Sequence, residues 1–174
     1  ADTASYVYNG GESDSFISKY APDGSFLWAT SFGSNARDRV ASIAVEPEGT
    51  TYVTGTFLGE GDFDGGSGET ILQADVNGEG FLLKLRSDGQ FVWGHNVGQF
   101  PLSTGTFTNS EALALSANTL LIGGRFNNTV DFDPGPGVDT VTTLNGAAFI
   151  IGSDTSGALI DRWILDGPGL ALVY

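Results

Sequence analysis

Three segments of this chain are copies of one another. They cover residues 14–33 (DSFISKYAPDGSFLWATSFG), 79–98 (EGFLLKLRSDGQFVWGHNVG) and 147–167 (AAFIIGSDTSGALIDRWILDG). Phe16, Phe81 and Phe149 open the motif. Gly24, Gly89 and Gly157 close its turn, and Trp28, Trp93 and Trp163, all three tryptophans of the chain, follow. Repetition constrains the fold more than any single motif does, because a repeat unit buries its faces against its neighbours and the array has one architecture or none.

Within a motif the local signals are those of strands. Phe16-Ile17-Ser18-Lys19-Tyr20 alternates sides, Pro22-Asp23-Gly24 turns the chain, and Phe26-Leu27-Trp28 returns. Alternation of period two around a Pro-Asp-Gly or Ser-Asp-Gly turn is a β-hairpin, with glycine supplying positive φ. A second hairpin lies between motifs, formed by Ser42-Ile43-Ala44-Val45 and Thr51-Tyr52-Val53-Thr54-Gly55. It recurs as Ala112-Leu113-Ala114-Leu115 and Leu120-Leu121-Ile122-Gly123-Gly124. No stretch sustains a 3.6-residue apolar period, so almost no helix is expected. With strands named A (Ile43), B (Tyr52), C (Phe16) and D (Trp28), Ser5-Tyr6-Val7-Tyr8-Asn9-Gly10 matches a B strand. Leu170-Ala171-Leu172-Val173-Tyr174 matches an A strand. The chain then reads B, CDAB, CDAB, CDA. This is a single repeat domain divided into a permuted B strand (1–13), repeat one (14–78), repeat two (79–146) and a partial repeat three (147–174).

At these residues the chain resembles the bacterial β-propeller repeats known as SBBP repeats. Their pattern joins an aromatic-opened "FVAKYD-x-x-G" strand, a "LLW" strand and a "GIAVD-x-x-G-x-x-YVTG" hairpin. Phe16 to Trp28 and Ile43 to Gly55 match it well, and Phe81 to Trp93 and Leu113 to Gly124 less closely. The third copy keeps Phe149, Gly157 and Trp163 but lacks the lysine and has two more residues before its tryptophan. The resemblance implies secreted, blade-type four-stranded sheets and no shared catalytic site.

Composition removes several function classes. There is no cysteine among the 174 residues, so disulfides, thiolate metal sites and cysteine nucleophiles are excluded. The net charge of −14 argues against nucleic acid as a partner. No apolar run approaches the ~20 residues of a membrane-spanning helix, so no membrane insertion is expected. The Ala-Asp-Thr-Ala start without methionine predicts a mature, secreted or cell-surface chain trimmed by a signal peptidase.

About three units are fewer than the four to eight blades of a usual propeller. Four arrangements answer the shortfall: a cramped closed three-bladed body, a two-chain six-bladed ring, an open head-to-tail polymer, or a piece of a longer propeller. The charge-free end strands favour strand exchange between chains, since a bare apolar terminal strand is a hazard without a partner. The expected fold is therefore an all-β, propeller-like array of about three four-stranded antiparallel units, completed between chains. Tyr6, Val7 and Tyr8 of one copy would pair with Leu170, Leu172, Val173 and Tyr174 of another. The expected function is a non-enzymatic, self-assembling extracellular structural protein, and the alternative is a glycan- or protein-binding module.

The sharpest polar feature is a duplicated acidic loop after strand B. Gly61-Asp62-Phe63-Asp64-Gly65-Gly66 recurs as Val130-Asp131-Phe132-Asp133-Pro134-Gly135. Asp62, Asp64 and Glu69, and in the second copy Asp131, Asp133 and Asp139, offer hard oxygen ligands suited to Ca²⁺. The competing reading is an aromatic-anchored turn, with Phe63 and Phe132 as core plugs. Neither loop completes an EF-hand spacing. His95 is the only histidine, no Gly-x-Ser-x-Gly elbow is present, and the paired loop carboxylates sit too close in sequence to straddle a glycosidic bond, so no enzyme is expected. The three tryptophans read as inter-blade core. Asn127-Asn128-Thr129 is a glycosylation sequon.

Overall fold

The computed structural model describes residues 12–100 and 105–166. Its elements are β1 (Ser15–Tyr20), β2 (Phe26–Ser34), β3 (Asp38–Val45), β4 (Thr51–Phe57), β5 (Glu60–Asp62), β6 (Ile71–Gln73), β7 (Glu79–Leu85), β8 (Phe91–Val97), β9 (Thr108–Ser116), β10 (Thr119–Asp131), β11 (Thr140–Asp154) and β12 (Leu159–Asp166), with no helix among the described residues. The expected turns form as the local chemistry requires. Gly24 takes φ +85°, its N–H donates to Ala21 O (2.9 Å), and Asp23 Oδ1 accepts from Ser25 N (2.9 Å). Gly89 and Gly157 repeat the positive φ.

The strands form three four-stranded antiparallel sheets, ordered β1-β2-β5-β6, β3-β4-β7-β8 and β9-β10-β11-β12, and none of them closes. The second and third sheets run A, B, C, D as the repeat predicts. The first holds C and D strands followed by a short hairpin. That hairpin, β5–β6, was not expected. The acidic loop between β4 and β7 leaves its own sheet and adds to the preceding one, pairing Gly33 with Asp62 and Ser34 with Gly61. In the next copy the same excursion is the far end of β10 and the start of β11, and Gln99, just after β8, bridges to Asp131. The expected strands at residues 5–10 and 170–174 lie outside the described residues.

Two cores flank the middle sheet. Val53, Phe81, Leu83 and Phe57 face Phe32 and Phe63 of the first sheet's side. Tyr52, Leu82 and Val97 face Ile122, Phe126, Phe149 and Ile151 of the third. A strand covered on both faces needs apolar residues in succession rather than alternation, which is why β7 reads FLLKL. Fully burying each large apolar side chain contributes on the order of 1.5–3 kcal/mol. Adjacent sheets are also clasped. Trp28 Nε1 (2.9 Å) and Lys19 Nζ (3.1 Å) donate to Ser87 O in the turn of the next repeat, and Lys84 Nζ donates to Thr155 O (2.8 Å) in the turn after that.

The third tryptophan departs from its sequence reading. Trp28 pairs with Lys19 and Trp93 with Lys84, but the equivalent pair in the third copy is Asp161 with Gly152. The two extra residues move Trp163 one pleat along, opposite Ile150, where it is 51% exposed. Trp28 and Trp93 pack at the borders of the two cores; Trp163 is not core.

Candidate functional site

Both acidic loops are built alike. Asp62 Oδ1 accepts from Asp64 N (2.9 Å) and Thr70 N (2.8 Å), while Asp131 Oδ1 accepts from Asp133 N (3.1 Å) and Asp139 N (2.7 Å). Asp64 Oδ1 accepts from Gly66 N (2.8 Å), and Asp133 Oδ1 from Gly135 N (2.7 Å). A Cβ at Gly68 or Gly137 would run into the Asp64 or Asp133 carboxylate, so a larger residue there would have to displace that side chain. Phe63 and Phe132 are buried as plugs. Phe63 meets Phe57 edge-on at 4.8 Å, and Phe132 meets Phe126 at 5.3 Å. Of the remaining acids, Glu69 is exposed and Asp139 pairs with Arg162. The first aspartate of each loop thus closes it by binding backbone N–H groups. Among the described residues no group of three or more His, Asp or Glu side chains gathers in metal-binding geometry.

The assembly residues Tyr6, Val7, Tyr8, Leu170, Leu172, Val173 and Tyr174 lie outside the described residues. In the sequon, Asn127 is engaged in the fold: its Oδ1 accepts from Phe107 N (2.7 Å) and its Nδ2 donates to Gly105 O (3.2 Å).

Sequence reasoning missed a cleft of about 570 Å³ between β6 and β8, lined by Gln73, Glu79, His95, Asn96, Gln99 and Phe100 among others. Glu79 is 2% exposed. Burial pushes its carboxyl up to about 8, with the Asn96 hydrogen bond opposing and the Asp75 charge adding. Asn96 Nδ2 donates both to Glu79 Oε2 and to Gln73 O (2.8 Å). His95 stacks on Trp93 (5.3 Å, 12° between planes), on the shared face that strand alternation predicts. Its Nδ1 donates to Asn96 O (2.9 Å), and burial pulls its pKa down. The sole signal in the sequence was an acid at the start of a strand whose middle, Phe81-Leu82-Leu83, is apolar.

A second buried acid, Asp38, starts β3 and is 5% exposed. Burial raises its pKa, against the Ser34 hydrogen bonds and with the Asp14 charge. Arg37, beside it in sequence, pairs outward with Glu12 at 3.0 Å. Comparison with protein-family models and with curated proteins returns no match to this chain.

Proposed function

We propose that this chain is a secreted, non-enzymatic structural protein of SBBP-repeat type, propeller-like in arrangement, that assembles head to tail by exchanging terminal strands. One observation carries the reading. The second and third sheets each hold an A, B, C, D set, whereas the described part of the first sheet holds C, D and a hairpin only. In the complete sheets, β7 and β11 pair on their inner flank with a B strand; β1 has no such partner among the described residues. The two missing strand types, B and A, are those that the sequence carries at residues 5–10 and 170–174. A B strand from residues 5–10 would leave an A position open, and an A strand from a second copy would fill it with backbone hydrogen bonds plus alternate side chains.

The test is deletion of residues 1–10, read by negative-stain imaging and light scattering. Loss of the polymer is the expected result, and unchanged assembly refutes strand exchange. The cleft beside Glu79 favours a second reading, a glycan-binding module, since amides of Gln73, Asn96 and Gln99 beside the Phe100 ring suit a polar ring ligand. Glycan-array binding by a monodisperse chain would support it.

A further inference from the structure

The outer face of the third sheet is apolar and open. Cross-strand partners share a face of a sheet. The pairs Ile150 with Trp163, Ala148 with Leu165 and Leu121 with both Gly152 and Ala114 place these residues on one side. It is the side opposite Ile122, Phe149 and Ile151, which pack against the middle sheet. Ile150 is 40% exposed, Trp163 51% and Leu165 50%. Large apolar side chains gathered on one exposed face mark a surface built for contact.

The repeat shows what this face does elsewhere. Leu82 follows Phe81 as Ile150 follows Phe149, and their partners are His95 and Trp163. Val97 and Leu165 correspond as the partners of Gly80 and Ala148, and Tyr52 and Leu121 as the partners of Lys84 and Gly152. Tyr52 and Leu82 are 0% exposed and Val97 1%, because the third sheet lies over them. In the first sheet Ile17, the counterpart of Leu82, packs into the core shared with the middle sheet. The same face is thus covered by the following sheet in the first two copies and open in the third. There the two inserted residues put an indole where the middle sheet has the His95 ring.

The first sheet presents the matching surface. In the middle sheet, the side that receives the preceding sheet carries Leu85 opposite Phe91, and both pack into that core. Their counterparts are Tyr20 opposite Phe26, an edge-on pair at 5.8 Å in which Tyr20 is 58% exposed against 2% for Leu85. Chain direction agrees. Each D strand runs on into the A strand of the next sheet, β2 into β3 and β8 into β9. If residues 170–174 enter the first sheet of another copy, β12 brings the third sheet up against that same sheet.

We propose that the outer face of the third sheet docks, sheet on sheet, on the outer face of the first sheet of a second copy, with Trp163 and Tyr20 as its anchors. The proposal rests on the head-to-tail reading above and adds to it a contact that uses neither terminal strand. It repeats between copies the packing that joins consecutive sheets within each copy.

The test compares full-length wild type, Trp163→Lys, Leu165→Lys and Tyr20→Lys by sedimentation velocity and light scattering over a concentration series. All three side chains are exposed, so each variant is expected to keep the wild-type urea midpoint. The net charge is −14, so an added lysine lessens repulsion between copies, and weaker assembly reports the lost apolar contact. Association is expected to weaken about thirtyfold or more for Trp163→Lys and Tyr20→Lys, and less for Leu165→Lys. At a concentration where Trp163→Lys and Tyr20→Lys are each monomeric, an equal mixture is expected to give dimers and nothing larger, since one pair of intact faces remains. The proposal is overturned if the three variants assemble as the wild type does, or if the mixture stays monomeric. Deletion of residues 1–10 leaves both faces in place. Assembly that survives the deletion but not Trp163→Lys sinks strand exchange alone, and the converse sinks face docking alone.

Discussion

Glu79 should make this protein less stable as the solution turns from neutral to mildly alkaline. Its carboxyl ionises at about 8 in the folded chain, against an ordinary value of 4.5, because β7 buries it beside Asn96, where the charged form loses its water. The folded state therefore holds a proton that the unfolded state has released over that interval. Stability depends on pH through the difference in bound protons, unfolded minus folded, which is negative here. The contribution is present below 4.5 and is lost steadily up to about 8. Each pH unit costs about 1.4 kcal/mol, which caps the total near ~5 kcal/mol; relaxation of the cleft and water entering it will reduce this. His95 runs the other way. Its folded pKa is depressed below 6.5, so stability is gained as pH rises to that value and is flat above it. The clean window is thus pH 6.5 to 8. Urea midpoints in chelator at fixed ionic strength should fall across it, by about 1–2 kcal/mol in unfolding free energy. Glu79→Gln, which preserves a neutral partner for Asn96, should abolish the slope. Parallel curves for wild type and Glu79→Gln would show that the carboxyl is ionised in the fold and refute the reasoning.

Three further outcomes follow from packing and loop closure. Phe63→Ala removes a fully buried ring that touches Phe32, Phe57 and Phe81; it should cost about 3–5 kcal/mol in denaturant unfolding. Gly157→Ala places a methyl at φ +95°, 3.0 Å from His95 Nε2 and 3.3 Å from Trp93. It should lower stability by about 1–3 kcal/mol and shift the Trp93 fluorescence, whereas Gly24→Ala, with open space around it, should show the backbone strain alone. Asp62→Ala strips acceptors from Asp64 N and Thr70 N; the expected loss is about 1–3 kcal/mol, with faster amide exchange confined to residues 62–70.

Much of this fold was legible because its signals are local. The C and D strands and their turns show as alternation around a glycine at positive φ, and Phe63 and Phe132 show as isolated aromatics inside polar loops. The strand Leu120 to Gly124 was legible too, and its glycines have a structural reason: a bulge falls between Gly123 and Gly124, and a Cβ at Gly124 would meet the Asn109 carbonyl and the Phe149 ring. Trp163 misled, because a motif aligned by eye fixes residue type but not register, and two inserted residues moved it along the sheet. The β5–β6 excursion was illegible, since three-residue strands leave no period and their partner, β2, is remote in sequence. The surroundings of the acids were illegible for a related reason: spacing does not show that Asp62 and Asp131 accept from backbone N–H groups of their own loops, or that Glu79 and Asp38 are buried.

By itself the sequence determined the repeat, the all-β character, the hairpin turns and the absence of cysteine chemistry, all of which depend on residue type and short-range spacing. The tertiary structure decided which strands share a sheet, which face of each strand is covered, and what surrounds each carboxylate. Those outcomes depend on segments tens of residues apart meeting in space. A carboxylate's solvation and its nearest donor are set by that meeting: Asn96 reaches Glu79 from β8, and the charge of Asp14, just before β1, bears on Asp38 at the start of β3. Spacing along the chain encodes neither.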